Sequence, residues 1–158
     1  MMSQASNGKR SDSGSRLIKT SPEAIYRAML DPTAIAAWRP PEGMKAQVHV
    51  FEPRVGGTFR MSFIYLDRTM SGKTSGNADV FQGEFMDLVP NRRVVERVEF
   101  ESEDPAFAGA MTVTTTLDAQ PDGTKVTILC ENVPSGISQA DHEAGIASTL
   151  ANLAAFTE

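Results

Sequence analysis

The chain has 158 residues, 41% of them hydrophobic and 22% charged, with a formal net charge of −5. That length suits one domain with a real core, and the acidic balance excludes a nucleic-acid surface, since Arg92-Arg93 alone makes no basic patch. No apolar run approaches the roughly 18 residues that span a bilayer, and the N-terminus lacks the apolar core of a secretory signal, so the expectation is a soluble, cytoplasmic protein with no membrane partner.

Met1 to Ser15 is polar and aperiodic, too poor in apolar side chains to offset its ordering entropy; residues 1–15 are expected to be a disordered tail and 16–158 the single domain. Arg16 to Lys19 reads as a strand. Ser21 is placed as an N-cap with Pro22 at the first helical position, and Ile25, Ala28 and Met29 share one face. The residue before Pro32 resists helical geometry, so this helix stops near Leu30. Asp31-Pro32 then starts a short helix that carries Ile35, Ala36 and Trp38 inward before Pro40-Pro41 ends it.

From Ala46 the period is two. Val48 and Val50 alternate with His49 and Phe51, and Glu52 to Gly57 supplies a turn in which Gly56 and Gly57 can take positive φ. Thr58 to Leu66 puts Phe59, Met61, Phe63 and Tyr65 on one face. Asp67 to Asn77 is polar, with Gly72 and Gly76, and reads as a mobile loop. Beyond it Phe81, Gly83 and Phe85 share a face, which turns Glu84 outward unless Gly83 carries a bulge. Pro90-Asn91 turns into Val94 to Phe100. Met111 to Leu117 and Val126 to Cys130 alternate about the hairpin signal Gln120-Pro121-Asp122-Gly123. Ser138 caps a final helix, with His142, Ile146, Leu150 and Leu153 as its stripe. The order β-α-α-β-β-β-β-β-β-α makes an α+β antiparallel meander whose apolar face needs the last helix as cover. Gly145, costly mid-helix, marks either space beside that helix or a close backbone contact.

Four blocks in succession carry a family resemblance: Thr20-Ser21-Pro22-Glu23-Ala24-Ile25-Tyr26 through Asp31-Pro32 to Trp38; Glu52-Pro53-Arg54-Val55-Gly56-Gly57-Thr58-Phe59-Arg60; Gly83-Glu84-Phe85 to Val89-Pro90-Asn91-Arg92-Arg93-Val94; and His142-Glu143-Ala144-Gly145. Together, over about residues 16 to 156, they resemble the domain named for activators of the heat-shock protein 90 ATPase. That domain is a branch of the START-like, Bet v 1-like (SRPBCC) helix-grip superfamily. The resemblance implies a curved antiparallel sheet wrapped on a long C-terminal helix. It also implies a role among carriers of apolar small molecules, polyketide cyclases and dehydratases, and proteins of unknown role. The family often has an aromatic residue after the helix glycine, where this chain has Ile146, which implies a pocket floor that is wider or less suited to stacking. The co-chaperone role fits poorly, because those activators carry a further domain that this chain does not match.

No phosphate loop, metal-ligand spacing or nucleophile elbow is present, and no cofactor is expected. The candidate ligand-binding residues are Trp38, Phe59, Met61, Phe63, Tyr65, Phe81, Phe85, Phe100, Met111, His142 and Ile146; half or more also fit a plain core. The candidate catalytic groups are Tyr65, which either orients a ligand carbonyl or reaches water, and His142, which serves as acid or base or as a satisfied structural histidine. His49 reads as an edge residue and Cys130 as a small core residue. The leading reading is a binder of a small hydrophobic or aromatic molecule, with Trp38 and the 67–77 loop near the pocket mouth. The alternatives are a cyclase- or dehydratase-like enzyme acting on a carbonyl substrate, and a ligand-free interaction domain or homodimer joined through open sheet edges.

Overall fold

The computed structural model describes residues 10–74 and 76–158. Seven strands, β1 (Arg10–Ile18), β2 (Met44–Phe51), β3 (Thr58–Tyr65), β4 (Ala78–Val89), β5 (Arg93–Phe100), β6 (Met111–Gln120) and β7 (Gly123–Val133), form one curved antiparallel sheet in the order β1-β7-β6-β5-β4-β3-β2. Helices α1 (Pro22–Met29) and α2 (Pro32–Trp38) connect β1 to β2, and α3 (Gln139–Thr157) follows β7. This is the α+β helix-grip arrangement.

The helix starts follow the cap chemistry. The Ser21 side chain accepts from Ala24 N, Asp31 from Thr33 N and Ser138 from Asp141 N, so one otherwise orphaned donor is satisfied at each N-terminus. The Pro121-Asp122 hairpin is also as expected, with Gln120 paired to Gly123.

Three expectations for β1, β2 and the turn after β2 change. First, the leading strand begins at Arg10 rather than Arg16, so residues 10–15 are not tail: they pair with β7, Asp12 opposite Cys130 and Gly14 opposite Ile128. Ladder hydrogen bonds to β7, and the bonds that Asp12 accepts from Arg10 and His142 against the cost of its burial, hold a segment whose composition offers little apolar surface; residues 1–9 of the expected tail lie outside the described residues. Second, β2 has an irregularity between Val48 and Val50 that inverts the alternation, leaving Val50 exposed and turning the Phe51 ring onto Phe85 at 5.6 Å, edge-on. Third, only Gly56 of the Gly56-Gly57 pair takes positive φ, at 82°. Gly57 is required by space instead, because a Cβ there would lie 2.1 Å from the Glu52 carbonyl oxygen.

The 67–77 segment, expected to be a mobile loop, is knitted by hydrogen bonds. Thr69 N donates to Asp67 Oδ1 at 2.9 Å, Gly72 N to the Gly76 carbonyl at 2.9 Å, and Val80 N to Thr74 Oγ1 at 2.9 Å. Ser75 lies outside the described residues. A 3₁₀ turn at Pro105–Phe107 joins β5 to β6; it starts with Asp104 as cap and Pro105 at its first position, the same signal as Asp31-Pro32, and was passed over in the sequence.

Candidate functional site

The final helix is held to the rest of the domain along two lines, and a cavity remains between them. On one side α3 lies against β1, where Gly14 permits close approach: a Cβ at that position would sit 2.9 Å from Ile146 Cγ2. On the other side α3 grips the chain leaving α2. Thr149 Oγ1 donates to the Arg39 carbonyl at 2.9 Å and Asn152 Nδ2 to the Pro40 carbonyl at 3.0 Å, while Ser148 Oγ accepts from Glu42 N at 2.8 Å. The space enclosed by α3, α2 and the inner face of the sheet is about 570 Å³.

Its walls are built by strand alternation. Phe63 and Tyr65 come from β3, Phe81 from β4, Val98 and Phe100 from β5, Met111 and Val113 from β6, and Ile128 and Cys130 from β7. Trp38 closes one side, 3% exposed, its indole Nε1 donating to the Ala28 carbonyl at 3.0 Å. Rings meet edge to face along the wall, Phe63 on Phe81 at 4.9 Å and Phe100 on Phe107 at 6.4 Å. Gly145 leaves the helix side open, since a Cβ there would meet nothing nearer than Pro41 Cγ at 3.9 Å.

Two ion pairs and a carboxylate-bound histidine interrupt this apolar lining. Arg39 Nη1 and Nη2 fork onto Glu96 Oε2 and Oε1 at 2.8 and 3.0 Å, and the guanidinium carbon lies 5.9 Å from the Phe81 ring centre. Burial alone would lower the Arg39 pKa, but the Glu96 carboxylate outweighs it and holds the pKa above its ordinary value, so the side chain stays charged. Lys73 Nζ meets Asp79 Oδ2 at 2.8 Å, and Lys73 N donates to Asp79 Oδ1 at 2.6 Å. His142 Nδ1 lies 2.7 Å from Asp12 Oδ2, and Asp12 also takes Arg10 Nε at 2.9 Å. Burial raises the Asp12 pKa, yet the hydrogen bonds from Arg10 and His142 prevail and leave it below the usual carboxylate value. Burial pushes the Cys130 thiol up to about 12, which keeps it protonated and unreactive at neutral pH.

The family described as activator of Hsp90 ATPase homolog 1-like protein matches residues 19–158. The chain belongs to this family. Among solved structures it is similar to a protein from Chromobacterium violaceum, at 33% identity and a TM-score of 0.83, covering 94% of this chain and 96% of that one. A protein from Mesorhizobium loti shares the fold at 23% identity and a TM-score of 0.71, over 93% and 96% of the two chains. An AHSA1-like protein from Aeromonas hydrophila does so at 19% and 0.70, over 93% and 91%. No curated protein matches the chain.

Within this family member, Trp38, Phe63, Tyr65, Phe81, Phe100, Met111, His142 and Ile146 come together on the cavity. Three other predicted lining residues do not. Phe59, Met61 and Phe85 are 0–1% exposed and belong to the packed core, with the Phe59 and Phe85 rings 5.1 Å apart. The reason is Gly83, opposite Phe59 in the ladder: the Phe59 ring folds over it so closely that a Cβ would lie 2.4 Å from Phe59 Cζ. Gly83 is therefore a seat for an aromatic ring, and the β4 irregularity lies further on, between Phe85 and Asp87. Trp38 forms an inner wall rather than the mouth, whereas Met70 and Lys73 of the 67–77 segment do reach the cavity. His49 is at the exposed edge, bonded to Ser62 Oγ at 2.8 Å.

Sequence reasoning passed over Arg39, Lys73, Asp79 and Glu96. For the two acids the signal was available: Glu96 stands at even spacing from Val94 and Val98, and Asp79 from Phe81, so alternation alone points both inward. Their cationic partners come from non-local segments and left no such mark. Among the described residues no helix is long and apolar enough to cross a membrane.

Proposed function

We propose that this domain binds a small hydrophobic or aromatic molecule in the cavity between the sheet and α3. The observation that carries the reading is the cavity itself. Its volume of about 570 Å³ falls within the ordinary range of small-molecule sites, roughly 300–1,000 Å³, and it is walled by aromatic and aliphatic side chains while Phe59, Met61 and Phe85 beside it are packed solid. Of the charged groups on the wall, Arg39 is paired with Glu96 and Lys73 with Asp79, which suits orientation of a ligand more than solvation of one. The net charge of −5 fits a cytoplasmic protein acting without a nucleic-acid or membrane partner.

Native mass spectrometry of freshly purified protein, with chemical analysis of whatever denaturation releases, tests this. A stoichiometric apolar adduct supports the binding reading. A chain that stays at its sequence mass when offered a panel of aromatic compounds contradicts it. The same spectrum distinguishes a monomer from a homodimer joined through the β1 or β2 edge.

One observation favours the enzymatic alternative. His142 faces the cavity with its imidazole held by Asp12, and Tyr65 lines the same space, its hydroxyl without a protein partner among the described residues. A cyclase- or dehydratase-like reaction would use them to position or transfer a proton at a substrate carbonyl. Loss of turnover with retained binding in His142→Ala or Tyr65→Phe supports that reading; unchanged turnover removes it.

A further inference from the structure

The charge distribution of the cavity wall narrows the class of ligand, given the binding reading above. The lysine and arginine side chains on the wall are Lys73 and Arg39, and each is already neutralised by a carboxylate on the same wall, Asp79 and Glu96 respectively. The Asp12 carboxylate that holds the His142 imidazole is itself neutralised by Arg10. Glu42 and Asp141 add two rim carboxylates that have no cationic partner among the described residues. Asp141 stands in the first turn of α3, where its charge offsets the helix N-terminus that would otherwise favour an anion at the mouth. The wall is thus neutral within and acidic at its entrance.

Arg39 is the exception in hydrogen-bonding capacity. Its guanidinium spends two N–H groups on Glu96, and its remaining N–H groups have no acceptor among the described residues. It lies beside the Phe81 ring, 16% exposed, so water gives it limited help. We infer that the cavity selects an uncharged ligand that offers a hydrogen-bond acceptor, a carbonyl or hydroxyl oxygen, to the Arg39 guanidinium, and discriminates against carboxylates and sulfonates. A neutral acceptor satisfies a buried donor without bringing a charge that must be desolvated. A carboxylate could reach Arg39 only beside Glu96, placing two like charges on one guanidinium in a low-dielectric wall, after passing Glu42 and Asp141.

The test uses phenylnaphthylamine, an uncharged probe that brightens in apolar surroundings, displaced by two competitors of matched ring size: methyl naphthyl ketone and naphthoate, the latter ionised at neutral pH. The ketone is expected to displace the probe at a concentration at least about tenfold lower than naphthoate. In Glu96→Gln the guanidinium loses its counter-charge, and naphthoate is expected to bind at least about tenfold more tightly than it does to the wild type. Equal displacement by the two competitors in the wild type overturns the inference. So does an unimproved affinity for naphthoate in a Glu96→Gln variant that keeps its circular dichroism and thermal transition. Should that variant not fold, the wild-type ratio decides alone. Absence of saturable probe binding overturns the binding reading together with this one, whereas probe binding with the wrong charge preference overturns only the ligand class.

Discussion

Glu96, with its side chain 4% exposed, is tolerable inside this sheet only because Arg39 forks onto both of its oxygens. Removing the cation alone leaves a buried, uncompensated carboxylate. Arg39→Ala is therefore expected to cost about 3–5 kcal/mol in urea denaturation, while the paired replacement Arg39→Met with Glu96→Leu stays within about 1–2 kcal/mol of the wild type. A loss below about 1 kcal/mol in Arg39→Ala would show that the pair contributes little to folding. This pair also marks what residue-level reading can and cannot reach. Glu96 was legible, an acid at inward parity in Val94 to Val98. Arg39 was not, because its position just past α2 places it over Phe81 only through the tertiary course of the chain.

At the scale of elements, β1 departs most from the sequence expectation. Residues 10–15 look like tail because nothing in them repeats, yet they form the strand that meets α3. Propensity failed there because two residues that look uninformative alone, Asp12 and Gly14, are placed by partners far along the chain: His142 for the first, Ile146 for the second. Deleting the chain through Ser15 is expected to lower the thermal midpoint by several degrees or more, as measured by circular dichroism, whereas an inert tail would leave it unchanged. The Asp12 carboxyl gives a finer test. Its folded pKa is depressed below the model-compound 3.8, so its contribution is fully present above that value and is lost as pH falls through the folded pKa. Accordingly, the stability difference between the wild type and Asp12→Asn should be largest near neutrality and shrink between about pH 5 and about pH 2. A difference constant over that range would mean that the charge contributes nothing. Elements with local signals fared better. The caps at Ser21, Asp31 and Ser138 and the Pro121-Asp122 hairpin were legible because short-range chemistry decides them.

For the whole molecule, the order of strands and helices followed from periodicity, but the cavity did not, since alternation assigns faces and not the distance between them. Phe59 and Phe100 share the same pattern, yet one packs over Gly83 and the other borders open space. That space exists because α3 is tied at β1 and at the chain after α2, and Gly145 keeps the helix surface between those lines bare. Gly145→Phe should fill it from the helix side while improving local helix propensity. The decisive measurement is a phenylnaphthylamine titration of the wild type and Gly145→Phe, with thermal melts of both. The cavity account predicts saturable binding at one site per chain in the wild type and its loss in a variant whose melting temperature is equal or higher. Equal binding by the two proteins, or no saturable binding by either, would contradict it.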